Sequence, residues 1–300
     1  MSGLLSLHDI PAPAKLNLFL HVIGRRPDGY HLLQSTFALI DWCDVLHFER
    51  RDDKALLRHD LGPPLPADDL CLRAARALQA ASGSRFGVDI HLSKQVPWGA
   101  GLGGGSSDAA STLLALNRLW GLNWSRHQLM ALALPLGADI PFFLGGNNAF
   151  VQGIGEQLTP VQFPPQWFAV VKPQSSIATA GIFTSPLLAR NSDPVIVTSF
   201  LASIQQPQRG GLGAGADGGF GRNDLQPVAE AMCPEVTQVA EWLRARFGNS
   251  RMSGSGSAVF ARAGTGVQPV ATWSKDEIPA DWVGRMCRSL VSHPLAGWVG

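Results

Sequence analysis

Charge of either sign is scarce in this 300-residue chain: 24 Lys and Arg stand against 23 Asp and Glu, for a net charge of +1. Nucleic-acid binding rests on a basic surplus, so this balance argues against a polyanionic partner. Cysteine is scarce too. Cys43, Cys71, Cys233 and Cys287 lie far apart, with no pair at the two-residue spacing of a zinc or redox site, and read as free thiols in a reducing compartment. Long apolar runs are missing: "IPFFLGGNNAFVQGIG" is broken by Pro, Gly and Asn and is too short to span a bilayer. The opening "MSGLLSLHDIPAPAKL" lacks the basic start and apolar stretch of a signal peptide. A cytoplasmic protein without a membrane segment is expected. Tyrosine occurs once, at Tyr30.

What the chain does have is 45% hydrophobic residues, enough to fill two cores. The stretch from Val161 to Pro173 is poor in charge and holds Pro164, Pro165 and Pro173, which predicts a boundary there and domains of 1–162 and 163–300. "AKLNLFLHVIG" alternates, with Leu16, Leu18, Leu20 and Val22 on one face and Lys15, Asn17, Phe19 and His21 on the other, the pattern of a half-buried strand. "RRPDGYH" is turn chemistry that delivers Tyr30 and His31 to its far end. A helix capped by Asp68 or Asp69 and stopped by Gly83 follows, then the alternating strand "FGVDIHLSKQVP". Ser125 and Gln128 stand at capping-box spacing and open a helix to about Pro135, with Asp139 in a short loop beyond it. "RGGLGAGADGGFG" reads as a mobile surface loop and "SGSGSAVFA" as a tight turn leading into a strand.

The segment "PWGAGLGGGSSDAASTLLALNRLWG" carries the most information. Its glycines run directly into an amphipathic pattern, with Ala109, Leu113, Leu116 and Trp120 on one face and Gly121 placed to end the helix. The first N–H groups of a helix lack intrahelical partners and sit at its positive end, and glycines let backbone approach an oxyanion closely. Such a loop suits a polyphosphate, with Ser106 and Ser107 as added donors or metal ligands. Gly99, Gly101 and Gly104 satisfy the bare dinucleotide-binding spelling, yet no acidic residue lies between Asp108 and Asp139 to hold a ribose. A Walker loop needs a lysine, which this loop lacks, and no H-R-D segment of a protein kinase is present. A flexible Gly/Ser linker would not feed a well-patterned helix.

"PWGAGLGGGSSDAA" resembles the phosphate-binding motif of the GHMP kinases, the superfamily named for galactokinase, homoserine kinase, mevalonate kinase and phosphomevalonate kinase. "PAKLNLFLHVIGRRPDGYHLLQS", "LGADIPFFL" and "RMSGSGSAVFA" extend that resemblance from about Pro13 to Phe260, toward a branch acting on an alcohol that carries a cytidine diphosphate group. The resemblance implies an α/β fold of two-layer α+β type. An N-terminal domain like ribosomal protein S5 domain 2 and a C-terminal GHMP domain would share an active site in the cleft between them. It further implies ATP as cosubstrate, Mg2+ with ligands left open, no nucleic acid or membrane partner, and a monomer or weak homodimer.

Residue by residue, Asp139 resembles the family's general base and Lys15 the lysine that pairs with it and stabilises the developing alkoxide. ATP contacts are implied at Lys94, for the adenine, and along the loop at Pro97, Trp98, Gly99, Ala100, Gly101, Leu102, Gly103, Gly104, Gly105, Ser106 and Ser107. Asp69 stands where the family commonly has Asn, which places a charge near the purine. Substrate contacts are implied at Asn17, Tyr30, His31, Thr179 and Phe183, with Tyr30 and Phe183 on opposite faces of the cytosine. Two other readings stay open: a GHMP kinase of homoserine or mevalonate type, and a catalytically silent nucleotide sensor on the same fold.

Overall fold

The computed structural model describes residues 4–205 and 222–300. The predicted glycine-rich surface loop at 209–221 lies outside the described residues. In chain order the elements are β1 (Ser6–Arg25), β2 (His31–Arg51), β3 (Leu56–Asp60), α1 (Leu70–Ser82), β4 (Gly87–Ser93), α2 (Gly104–Leu119), α3 (Arg126–Ala133), α4 (Ile140–Gly145), β5 (Ala149–Gln152) and β6 (Gln157–Pro160). There follow β7 (Trp167–Lys172), α5 (Thr179–Thr184), α6 (Val197–Gln205), α7 (Gln226–Met232), α8 (Pro234–Phe247), β8 (Arg251–Met252), β9 (Val259–Arg262) and β10 (Val283–Arg288).

Strands β1 to β6 form one sheet, in the order β3-β4-β2-β5-β6 with β1 also paired to β2. Strands β7 to β10 form a second, in the order β10-β7-β9-β8. Helices α1 to α4 cover one face of the first sheet, packed on Leu39, Leu46, Phe48 and Ile90. The second core lies between the sheets, where Leu16, Leu18, Phe19 and Ile40 meet Phe168, Val170 and Phe260. A third core packs the other face of the second sheet against α7 and α8.

Strand β1 corrects the expectation of a half-buried strand. Lys15, Asn17, Phe19 and His21 are as buried as Leu16 and Leu18, because β1 is sandwiched between the helical layer and the second sheet. Register shifts between Pro13 and Lys15 and between Asn17 and Leu20 break the simple alternation. Helix α2 departs from the amphipathic expectation in the same way: Ser107, Asp108, Ser111, Thr112 and Asn117 are buried along with its leucines. Two of its hydroxyls are answered by backbone, Ser111 donating to the Pro11 carbonyl at 2.8 Å and Thr112 to that of Asp108 at 2.8 Å.

Other local signals read true. The 26–30 turn closes with Arg26 N–H donating to the Tyr30 carbonyl at 2.7 Å, with Gly29 at φ +92°. Asp69 caps α1 through Leu72 N–H at 3.0 Å and Gly83 ends it in the left-handed region. Ser125 and Gln128 form the capping box of α3. Asp139 is the N-cap residue of the short helix α4 and not a plain loop residue. The four cysteines are unpaired.

After β10 the chain returns to the first sheet. Leu290 N–H donates to the Leu39 carbonyl and His293 N–H to that of Gly146, both at 2.8 Å, and Leu295 buries in the first core. Arg126 at the start of α3 fixes this tail, donating to the carbonyls of Ala296 at 2.6 Å and Val299 at 2.8 Å while another of its N–H groups reaches the carbonyl of Leu144 in α4.

Candidate active site

The glycine loop works by alternation. Ala100 and Leu102 point into the core between the sheets, at 2% and 1% exposure, and anchor the loop. Gly99, Gly101 and Gly103 between them all take positive φ, from 64° to 71°, and face a cleft. Side chains are excluded here by space as well as by φ: a Cβ at Gly101 would sit 2.1 Å from the Ser253 carbonyl oxygen. The loop is stitched on both sides, by Lys15 N–H to the Leu102 carbonyl at 2.9 Å and by Ala258 N–H to that of Ala100 at 3.1 Å. Ser253 in the 253–258 turn adds a third stitch, accepting from Asn17 N–H and donating to the Gly101 carbonyl, both at 3.1 Å. Gly103 is the N-cap of α2 and offers no side chain to its first N–H groups, which leaves them for an anion.

The cleft has a volume of about 310 Å³ and draws on both sheets. Strand β1 contributes Lys15 and Asn17, the N-cap of α4 contributes Asp139, and α5 contributes Thr179 and Phe183. The Lys15 ammonium lies 3.6 Å from Asp139 Oδ2, donates to Asn17 Oδ1, and sits 4.5 Å from the centre of the Phe37 ring. Burial pushes its pKa below the ordinary lysine value, and Asp139 works against that shift. Asn17 is oriented by donating to Ser35 Oγ at 2.9 Å. Thr179 is hydrogen-bonded to Ser255, hydroxyl to hydroxyl, at 2.7 Å. Phe37, Ser35, Ser253 and Ser255 carry no sequence signal of their own as site residues, although the two serines stand inside the quoted "SGSGS".

The remaining expected residues divide. Trp98 is 70% exposed at the edge of the loop, while Ser107 is fully buried one turn into α2. Tyr30 is 61% exposed and does not line the cleft. Phe183 lines the cleft and is stacked on His31, with ring centres 5.1 Å apart and planes 29° from parallel.

Lys94 is occupied. It is shared by two buried carboxylates, Asp44 and, at 2.7 Å, Asp108. Burial works against its charge, yet the two acids more than offset this and raise its pKa. Burial drives the Asp108 pKa well above the usual carboxylate range, against the pull of Lys94. Asp44 also accepts from the N–H groups of Gln95 at 2.6 Å and Val96 at 2.8 Å, tying β2 to the entrance of the loop. Asp69 is matched by Arg58 at 3.0 Å, so its carboxylate is neutralised within the helical layer.

No three His, Cys, Asp or Glu side chains gather as a metal cluster among the described residues. Two buried side-chain oxygens at the loop lack partners, Ser107 Oγ and Asp108 Oδ1. That donor set is too small for a protein-only cage and fits a magnesium ion held mainly by phosphate oxygens and water.

Two sheets are joined over a glycine loop faced by the buried Lys15 and the part-exposed Asp139, in a chain that matches the GHMP kinases. The GHMP kinases N terminal domain profile matches residues 69–147 and the GHMP kinases C terminal profile residues 201–280. The chain is 61% identical over 299 residues to the 4-diphosphocytidyl-2-C-methyl-D-erythritol kinase of Methylibium petroleiphilum (strain ATCC BAA-1232 / LMG 22953 / PM1), covering 99% of this chain and 100% of that protein. It is 56% identical to the enzyme of the same name from Verminephrobacter eiseniae (strain EF01-2), covering 98% of each. A crystal structure of 4-(cytidine 5'-diphospho)-2C-methyl-D-erythritol kinase superposes with a TM-score of 0.69 at 37% identity, over 84% of this chain and 89% of that one. Homoserine kinase from Cytophaga hutchinsonii ATCC 33406 shares the fold, with a TM-score of 0.66 at 16% identity over 98% and 97% of the two chains. The chain belongs to the 4-diphosphocytidyl-2-C-methyl-D-erythritol kinase family.

Proposed function

We propose that this protein transfers the γ-phosphoryl group of ATP to the 2-hydroxyl of 4-diphosphocytidyl-2-C-methyl-D-erythritol, a step of non-mevalonate isoprenoid precursor synthesis in the cytoplasm. The observation that carries this reading is the meeting of Lys15 and Asp139 with Gly99, Gly101 and Gly103 in one cleft, in a chain 61% identical to an enzyme of that name.

In the proposed chemistry the substrate hydroxyl attacks the γ-phosphorus as the bond to the β-phosphate oxygen breaks, and ADP leaves. Asp139 takes the hydroxyl proton, and the Lys15 ammonium stabilises the oxygen as it gains negative charge. Burial strengthens that interaction, because little water competes for the ammonium. The free N–H groups at the start of α2 hold the phosphates, and the glycine backbone lets them approach. Ser107 would help hold magnesium, whose charge would offset that of the phosphates. Asn17, Thr179, His31 and Phe183, with Tyr30 at the hairpin tip, form the acceptor side. Domains of 1–162 and 163–300 are part of this reading, supported by the end of β6 at Pro160 and the start of β7 at Trp167.

Purified protein is offered ATP with the cytidylyl methylerythritol compound, homoserine or mevalonate, and products are identified by mass. A phosphorylated cytidylyl product, with the other two alcohols untouched, is expected. Turnover of homoserine or mevalonate alone overturns the substrate assignment, and no turnover of any acceptor overturns the kinase assignment in favour of a nucleotide sensor.

A further inference from the structure

His31 is held from two sides. Phe183 stacks on its ring, and Arg190 Nε–H donates to its Nε2 at 3.1 Å. Arg190 is itself fixed: three of its other N–H groups reach the carbonyls of Leu188 at 3.0 Å, Phe183 at 3.2 Å and Ser185 at 2.8 Å, closing the C-terminal end of α5. A guanidinium has donors and no acceptor, so the nitrogen it meets on His31 must present a lone pair. A neutral imidazole with Nε2 as acceptor carries its proton on Nδ1.

We propose that Arg190 is a positioning residue that locks His31 in the neutral Nδ1–H form, so that the free nitrogen of this ring donates and selects a pyrimidine that accepts at N3. Cytosine has a lone pair at N3; uracil has an N–H there, which would set donor against donor. The inference rests on the cytidylyl acceptor proposed above, and it adds what enforces the base choice.

The electrostatic surroundings agree. Burial lowers the His31 pKa, and the two cations that face it, Arg190 and Arg25 on the paired strand, lower it further. The nearest acid of the hairpin, Asp28, is engaged with Arg26 at 2.7 Å and with Tyr30 N–H at 3.2 Å. The ring therefore stays neutral below the pH at which a free histidine charges.

Long-range proton–nitrogen spectra of protein labelled at histidine report the tautomer directly, without substrate. Nδ1 should be the protonated nitrogen in wild type, and Arg190→Gln should show a mixture; an Nε2–H ring in wild type overturns the proposal. In kinetics, Arg190→Gln should raise KM for the cytidylyl acceptor by about tenfold, with little change in KM for ATP and a smaller effect on kcat. Its preference for the cytidylyl over the corresponding uridylyl compound should narrow by about tenfold. On lowering the pH to about 6, acceptor KM should climb more steeply in the variant than in wild type, because removing Arg190 lets His31 charge nearer its ordinary value. Unchanged base preference in Arg190→Gln overturns the selective role even where the tautomer is as stated. Failure of wild type to use either pyrimidine compound is a different result: it sinks the acceptor assignment together with base selection, while the spectra still decide the tautomer.

Discussion

Gly103 and Lys15 are packed against each other: a Cβ at Gly103 would lie 3.1 Å from Lys15 Cγ and 3.2 Å from its Cε, with Phe143 Cζ at 3.0 Å on the other side. The loop proposed to receive phosphate thus also sets where the ammonium stands. Gly103→Val is expected to weaken ATP binding and also lower kcat by displacing Lys15, at a stability cost that includes about 1–2 kcal/mol for its left-handed backbone. Gly62→Ala, where an added Cβ meets nothing within 4 Å, is the control. Calorimetric ATP affinity and turnover of both variants test this; a folded Gly103→Val with normal kcat would separate the loop from the lysine.

Asp139→Asn should lose about 10²–10⁴-fold in kcat, the usual contribution of general-base catalysis. ATP affinity should hardly move, since in the proposed chemistry Asp139 acts on the acceptor hydroxyl and a carboxylate offers no donor to the phosphates. Near-normal kcat at saturating substrates would remove Asp139 from the base role.

Lys94→Met leaves Asp44 and Asp108 facing each other in the interior without a cation. Breaking a buried ion pair from one side costs about 3–5 kcal/mol, so a fall in Tm is expected even in the absence of nucleotide. An unchanged Tm with weakened ATP binding would return Lys94 to the role of a nucleotide contact.

His293 makes stability depend on pH. Burial, aided by Arg126, lowers its pKa from 6.5 to about 4, so the folded protein holds fewer protons on this ring than the unfolded chain does. The contribution is complete above pH 6.5 and disappears as pH falls toward 4. The loss amounts to about 3 kcal/mol if the whole shift is realised. Urea midpoints of wild type and His293→Asn across this range should converge as the pH drops; parallel curves would acquit His293.

The legible parts of this fold were those whose physics is local. Proline–Asp–Gly makes a turn, Ser125 with Gln128 makes a capping box, and glycines ahead of a leucine pattern make an anion-ready helix start, wherever they occur. Lys15 and Asp139 could be singled out through their motifs. That Lys15 is buried could not be read, because it depends on bulges in β1 and on a second sheet closing over a face that alternation alone marks as polar. Lys94 finds Asp44 across 50 positions and Arg190 finds His31 across 159, and neither pairing leaves a trace in spacing. The tail at 289–300 has no periodic pattern, since it is held by backbone hydrogen bonds and the Arg126 fork.

That returning tail bears on the order in which the molecule assembles. Leu295 belongs to the first hydrophobic core, and Arg118 lies 4.4 Å from the Trp298 ring, yet these partners are made after every strand of the second sheet. A ribosome that has finished residues 1–162 has therefore not delivered everything the first layer needs. The helices α3 and α4, with Asp139 at their junction, reach their final support only after residues 289–300 emerge, so during synthesis the region around Asp139 lacks the Arg126 fork until then.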